Sequence, residues 1–301
     1  MSWPGSMLGV VNLDKPVGPT SHDMVGLLRR LTGIRRIGHA GTLDPLASGV
    51  LPILVGAATR FSEELTGGAT RYDAVVRLGQ RSATDDAEGP IEPGAGPLPV
   101  LAAVETALAA FVGTFEQRPP AFSARKSGGQ TAHRAARAGA PLDVPPRAVT
   151  IDSIRVLGHE RGEGWLDVRL DVRCGPGTYI RSLARDLGDR LGCGGHLVAL
   201  RRTEAAGLRA DASVTPERLE SLAAEGRLPE AIQPVADLLD LPHVKLDADG
   251  ALRFRHGSVV SVDGANAGRV AVFAAGELVG IGAVSGDRLQ PEKVLPGVAE
   301  A

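Results

Sequence analysis

Leu166, Val168, Leu170 and Val172 alternate with Asp167, Arg169, Asp171 and Arg173. Side chains of a strand point to opposite faces in turn, so this spacing predicts a strand with one face on a core and the other toward water. Directly after it, Tyr179 or Ile180, Leu183, Leu187 and Leu191 recur at helical spacing and stop at Gly192. The same switching of period runs through the chain. Gly9–Leu13 reads as a strand and 23–31 as a helix that Thr20 or Ser21 can cap and Gly33 stops. Tyr72–Leu78 reads as a strand, 98–112 as a helix, Ser82–Gly96 as a polar loop, and Leu197–Leu200 as a further strand. The acidic, Pro-punctuated stretch 211–240 suits a helix and a linker. Beyond it Ser258–Val262, Arg269–Ala274 and Leu278–Val284 are short strands, the last two joined as a hairpin around Gly276. The expected class is α+β, with a boundary near residue 240 between a large mixed domain (1–240) and a small β-rich one (241–301).

The block Gly38-His39-Ala40-Gly41-Thr42-Leu43-Asp44-Pro45-Leu46-Ala47-Ser48-Gly49-Val50-Leu51-Pro52 sets one carboxylate, Asp44, in a Gly- and Pro-rich loop before an apolar run. Small residues let a bulky substrate approach the backbone, and Pro45 biases Asp44 away from the α region. Local chemistry leaves two readings open. Asp-Pro is an ordinary turn, and a carboxylate on a tight loop beside a strand is also how a catalytic acid, base or nucleophile is presented.

The net charge of −2 does not advertise a nucleic-acid binder. Its distribution does more. Arg29, Arg30, Arg35 and Arg36 cluster without an acid. Residues 118–147 hold Arg118, Arg125, Lys126, Arg134, Arg137 and Arg147 against Asp143 alone, while 211–240 carries seven acids and two arginines. One basic face can therefore bind phosphate. The 118–147 stretch, with five prolines and little apolar periodicity, reads as an exposed insertion that a ligand would order. No secretory pattern and no apolar run of about 18 residues is seen. Two cysteines, Cys174 and Cys193, make no disulfide framework. A cytoplasmic location is expected, with no membrane association.

The Asp44 block resembles the signature G-H-x-G-x-L-D-P-x-A-x-G of the bacterial B-type tRNA pseudouridine synthases. Further blocks follow in family order: Asp14-Lys15-Pro16-x-Gly18-x-Thr20-Ser21; Arg71-Tyr72, Leu78-Gly79 and Thr84-x-Asp86-x-x-Gly89; Pro119-Pro120-x-x-Ser123-Ala124-x-Lys126; and Cys174-x-x-Gly177-Thr178-Tyr179-Ile180-Arg181-Ser182-Leu183 with Asp186-Leu187-Gly188 and Leu200-Arg201-Arg202. The resemblance runs from Gly9 to about Arg202. It implies the pseudouridine-synthase mixed sheet flanked by helices, an RNA-gripping insertion, and a PUA-like C-terminal domain. In sequence that domain is shorter and more divergent than in many relatives. The family's activity would be isomerisation of uridine 55 in the tRNA T-loop.

That reaction breaks the C1′–N1 bond, rotates uracil and rejoins it through C5. It needs no redox cofactor and no metal, only an ionised carboxylate beside C1′ and C2′, acting either as nucleophile or as base on the 2′ proton. By resemblance Asp44 is that group and Arg181 its ion-pair partner, a cation that offsets the desolvation of a buried acid. Tyr72 would stack on the target base, and Tyr179 and Leu200 would help form the pocket. His39 would fill the gap left by the flipped base. Lys15 would orient the N-terminal motif or contact RNA, and Arg125, Lys126, Arg134 and Arg137 would meet the RNA backbone. The partner would be the tRNA T-arm and the protein a monomer. His133 stands where the family commonly has Tyr, and Phe122 replaces a frequent Tyr. A catalytically idle tRNA-binding or tRNA-folding protein on the same scaffold is the alternative, which intact Asp44, Tyr72 and Arg181 oppose.

Other chemistries fit worse. Ser123-Ala124-Arg125-Lys126 matches S-x-x-K without its companion motifs. Cys174, Cys193 and His196 lack paired zinc spacing, and Asp85, Asp86 and Glu88 lack the calcium-loop pattern. No phosphate-binding Gly-rich motif occurs.

Overall fold

The computed structural model describes residues 8–122, 126–127, 130–131, 144–263 and 267–296. Its centre is a ten-stranded mixed sheet. The main path runs Ile232–Gln233, Gly9–Lys15, Ala47–Val55, Gly195–Ala205, Thr70–Leu78, Trp165–Cys174, Arg147–Gly162 and Gly113–Gln117, with Leu208–Arg209 and Ile37–His39 paired at the side. Every pair on that path is antiparallel except one. Ala47–Val55 and Gly195–Ala205 run parallel, with Leu200 opposite Ala47.

The period-two strand lies well inside this sheet. Leu166, Val168, Leu170 and Val172 are buried, and their core takes in Tyr72, Ala74, Val76 and Leu78 together with Ile180, Leu183 and Leu187 of the Ile180–Arg190 helix. On the other face the charged residues pair across strands. Arg77 grips Asp167 (2.7 Å), and Asp171 receives both Arg71 (2.6 Å) and Arg155 (2.5 Å). Arg169 pairs with Asp73.

The Ser21–Thr32 helix shows the local logic at its ends. Thr20 accepts from the backbone N–H of Asp23, Asp23 answers to the backbone of Thr20, and Gly33 closes the helix at φ 72°. Such a cap is worth about 1 kcal/mol. Gly49 is held to glycine more strictly: φ is +100°, and a Cβ there would lie 2.2 Å from the carbonyl oxygen of Arg202 on the parallel neighbour.

Several elements exceed the expectations. The 16-residue strand Arg147–Gly162 has no counterpart in the periodicity, because irregularities between Ile151 and Ser153 and between Val156 and Gly158 break the alternation. Ser82–Gly96 is not a plain loop: Gln80–Ser82 pairs with Ile91–Pro93. The strand expected at 197–200 runs Gly195–Ala205. Residues 211–240 contain the Pro216–Ala224 helix and a two-residue strand, Ile232–Gln233, that joins the main sheet beside Gly9–Lys15.

From His243 onward a second sheet forms, ordered His243–Leu246, Gly268–Ala274, Glu277–Ser285, Arg288–Val294 and Val260–Ser261, with the helix Ala248–Arg255 against it. The strands His243–Leu246 and Arg288–Val294 and the helix had no counterpart among the expected elements, whereas Val260–Ser261 falls inside the strand expected at Ser258–Val262. Ala271, Ile281 and Leu295 pack into a cluster with Val10, Val50, Leu54, Phe61 and Leu65. Arg269 and Lys293 clamp Glu64 at 2.7 and 3.0 Å. The β-rich part is thereby fastened to the back of the strands that carry the Asp44 loop.

Gly49→Ala should lower the unfolding free energy by about 2–4 kcal/mol, since strain at positive φ adds to a backbone clash. Urea denaturation measures it, and a loss below about 0.5 kcal/mol would show that the strand pair can simply move apart.

Candidate active site

Asp44 stands in the loop between Ile37–His39 and Ala47–Val55, at the N-terminal mouth of the parallel pair. Three neighbours pin this loop. Ser21, buried at the start of its helix, donates from Oγ to the carbonyl of Leu43 (2.9 Å) and accepts from the N–H of the same residue (2.8 Å). Gly18 N–H donates to the Pro45 carbonyl at 2.9 Å. Arg202, itself buried, donates to the carbonyls of Gly41 (3.0 Å) and Val50 (2.7 Å). The loop closes on itself through Ala47 N–H to Asp44 O at 3.0 Å. Asp44 thus sits between fixed points one residue away on either side.

The Asp44 carboxylate meets Arg181 at 2.9 Å, with the arginine side chain 5% exposed and the aspartate 40%. One oxygen therefore faces the buried guanidinium while the group keeps an opening to solvent. Arg181 also reaches Asp86 at 3.4 Å and donates to the carbonyls of Thr84 (3.3 Å) and Phe122 (2.9 Å). Asp86 is buried and held by the Thr84 hydroxyl (2.5 Å) and the Glu88 N–H (3.1 Å). Burial pushes the Asp44 carboxyl above the usual carboxylate range, opposed by Arg181, reinforced by the negative Asp86 and opposed again by Lys15. A single cation thus lies between two carboxylates, one facing outward and one sealed in.

The remaining expected residues fall as follows. Lys15 is fully buried, and its ammonium donates to the carbonyls of Pro16 (2.8 Å) and Pro19 (2.7 Å), bracing the turn before the Ser21–Thr32 helix. Burial lowers its pKa to about 8, against the attraction of Asp44. Tyr72 is buried on the Thr70–Leu78 strand in register with Arg202, and Leu200 lies between Ala47 and Ala74. Tyr179 caps the helix that carries Arg181, its backbone N–H and carbonyl both bonded to Gln117 (2.8 and 3.1 Å). His39 ends its strand with Nδ1 buried and unpaired. Burial, then Arg202 and His22, push its pKa down, which favours a neutral ring. Arg125, Arg134 and Arg137 lie outside the described residues, as does His133. Of Lys126 only the backbone, in the short Lys126–Ser127 strand, is described.

Sequence reasoning missed three contributors. Asp86 stands in a family block and was weighed with Asp85 and Glu88 against a calcium loop, but received no role in the site; Asp86 pairs with Arg181 and Asp85 with Arg185 (2.8 Å). Among the described residues no cluster of His, Cys, Asp or Glu is suited to a metal ion. Gln117 gave no signal, its role depending on a residue 62 positions away. Ser21 did leave one: Thr20 and Ser21 are successive hydroxyls, and one helix start uses only one of them.

Three family models cover the chain: the N-terminal domain of the TruB family of pseudouridylate synthases over residues 29–180, the tRNA pseudouridylate synthase B C-terminal domain over 181–240, and the C-terminal region of pseudouridine synthase II TruB over 242–295. The chain belongs to the TruB family of pseudouridylate synthases. A tRNA pseudouridine synthase B of Ralstonia pickettii (strain 12J) is 42% identical over 299 residues, spanning 95% of this chain and 94% of that protein. The protein of the same name from Synechocystis sp. (strain ATCC 27184 / PCC 6803 / Kazusa) is 46% identical over 83% of this chain and 84% of its own length. Among solved structures, a Cbf5–Nop10–Gar1 complex superposes with a TM-score of 0.71 at 28% identity, covering 95% of this chain and 84% of that one. The mixed sheet flanked by helices, with its β-rich C-terminal part, is therefore the fold of this family.

Ser21→Ala should cost about 1–3 kcal/mol of unfolding free energy, because the buried N–H and carbonyl of Leu43 both lose their partner. Thr20→Ala should cost only about 1 kcal/mol. Equal losses for the two in urea unfolding would contradict the clamp on Leu43.

Proposed function

We propose that this protein converts uridine 55 of the tRNA T-loop to pseudouridine, with Asp44 as the reactive carboxylate. The coarser part rests on family membership: a tRNA pseudouridine synthase is an isomerase that modifies and binds tRNA. The finer part rests on one observation, the pairing of solvent-facing Asp44 with buried Arg181 on a loop pinned by Ser21, Gly18 and Arg202.

The geometry suits the chemistry. An anion must form and persist beside C1′ and C2′ of a uridine that has left its stack. Desolvation alone would protonate it, and Arg181 opposes that without covering the outward oxygen. Tyr72 and Leu200 would line the base-sized space beside Asp44, Tyr179 would form its far wall, and His39, with a neutral ring, would occupy the gap left in the RNA stack. Lys15, sealed from solvent, would act by shaping the N-terminal turn rather than by touching RNA. No step calls for a metal or a redox cofactor. Both routes for the carboxylate, attack at the ribose and removal of the 2′ proton, use the same placement.

The basic insertion, with Arg125, Lys126, Arg134 and Arg137, would grip the T-arm backbone, and the second sheet would form a PUA-like domain beginning near residue 241. The enzyme would work as a monomer in the cytoplasm. Among the described residues no helix is long and apolar enough to cross a membrane.

Asp44→Asn should abolish pseudouridine formation in single turnover while tRNA affinity, from filter binding, stays within about threefold. The wild-type rate should be lost as pH falls through a value above the usual carboxylate range, since burial favours protonated Asp44 and only the anion acts. Turnover near wild type in Asp44→Asn would sink the assignment. Neutralising Arg125, Lys126, Arg134 and Arg137 together should weaken tRNA binding and reduce the slope of log affinity against log salt by up to about one per lost phosphate contact. An unchanged slope would mean that these residues do not meet phosphate.

A further inference from the structure

Gln117 and Arg147 stand opposite each other at the end of the sheet, the last residue of Gly113–Gln117 paired with the first of Arg147–Gly162. Together they form the neck from which the basic insertion leaves the sheet. Both turn to the same place. Gln117, 1% exposed, donates from Nε2 to the carbonyl of Tyr179 and accepts from its N–H. Arg147 donates to the carbonyl of Gly177 and lays its guanidinium 5.7 Å from the centre of the Tyr179 ring. The chain leaving Gln117 continues along the same helix. The carbonyl of Arg118 accepts from Ser182 and Arg185, both at 2.9 Å, and that of Phe122 accepts from Arg181 at 2.9 Å.

A neutral carboxamide offers one donor and one acceptor side by side, which matches the N–H and C=O of a single residue. Gln117 therefore completes Tyr179 as a neighbouring strand would, at the point where the Ile180–Arg190 helix starts. Arg181 is two residues further on. Its Nη2 meets both Asp44 and the Phe122 carbonyl of the insertion's first residues, while its Nη1 meets Asp86 and the Thr84 carbonyl.

We propose that Gln117, with Arg147, is a positioning residue for pseudouridine formation: the neck of the insertion holds Tyr179 and Arg181 in register with Asp44, so that the element carrying the basic residues also sets the geometry of the reacting carboxylate. The inference rests on the reading of Asp44 given above. Gln117 is too deeply buried to meet RNA, so its effect belongs to the rate and not to the grip.

The test is Gln117→Met, which keeps length and volume and loses both bonds. Thr114→Val serves as a control, losing the 2.9 Å bond to Thr150 on the same strand pair without touching Tyr179. The single-turnover rate constant on tRNA should fall about 10- to 100-fold in Gln117→Met, with tRNA affinity within about twofold and Thr114→Val near wild type. The acidic limb of the rate–pH profile should move to higher pH, because an Arg181 less tightly held stabilises the Asp44 anion less. The groups facing Asp44 are Arg181, Asp86, Lys15 and Glu88, and none of them is altered in the variant.

A wild-type rate constant, a loss carried wholly by tRNA affinity, or an acidic limb that does not move would overturn the proposal. If Gln117→Met fails to fold, Arg147→Met decides by the same rate and pH limb. Asp44→Asn in the same assay separates the two readings. Should it turn over normally, the assignment of Asp44 fails. Should it be dead while Gln117→Met is normal, only the role of the neck fails.

Discussion

A guanidinium buried between two carboxylates is the constraint on which the site depends. A buried cation without partners would cost several kcal/mol. Asp86 offers it a sealed partner and Asp44 an accessible one. The carbonyls of Thr84 and Phe122 take further N–H groups. Three segments far apart in sequence, around Asp44, residues 84–86 and Phe122, must therefore converge on one side chain. The arrangement need not add much stability, because desolvation consumes most of what the ion pairs return. What it provides is a fixed place for a carboxylate with a cation beside it in a partly dry setting.

The sheet supplies the frame. Its single parallel junction brings Ala47–Val55 beside Gly195–Ala205, so the loop ahead of the first strand and the buried Arg202 of the second meet. One face carries the core and the Ile180–Arg190 helix. The other divides its area between a ladder of Asp–Arg pairs and the docked C-terminal sheet. Such half-exposed pairs are individually worth little. They let one side of a wide sheet face water, while the Val10, Val50 and Leu54 side of the Asp44-bearing strands is covered by Ala271, Ile281 and Leu295.

Much of this was legible in the sequence where a local signal existed. The period-two strand, the capped helix with its Gly33 stop, and the helix beginning at Tyr179 or Ile180 were read from patterns only a few residues long, and the structure has them within a residue or two. The pairing of Asp44 with Arg181 was expected from resemblance, and the two stand 2.9 Å apart. What escaped had no local signature. The irregularities in Arg147–Gly162 erased its alternation. Ile232–Gln233 is too short to show a period and exists only because Gly9–Lys15 offers it an edge. Asp86, Gln117 and Ser21 look like loop or cap residues until the fold sets them against Arg181, Tyr179 and Leu43.

The central claim is that Arg181 holds the Asp44 carboxylate in its charged form inside the site. Carbon-13 NMR titration of the Asp44 carboxyl carbon, in the wild type and in Arg181→Met, tests it directly. The account predicts a wild-type midpoint above the usual carboxylate range, and a higher one in Arg181→Met, where burial and Asp86 act without the opposing cation. Coincident midpoints in the two proteins would contradict it.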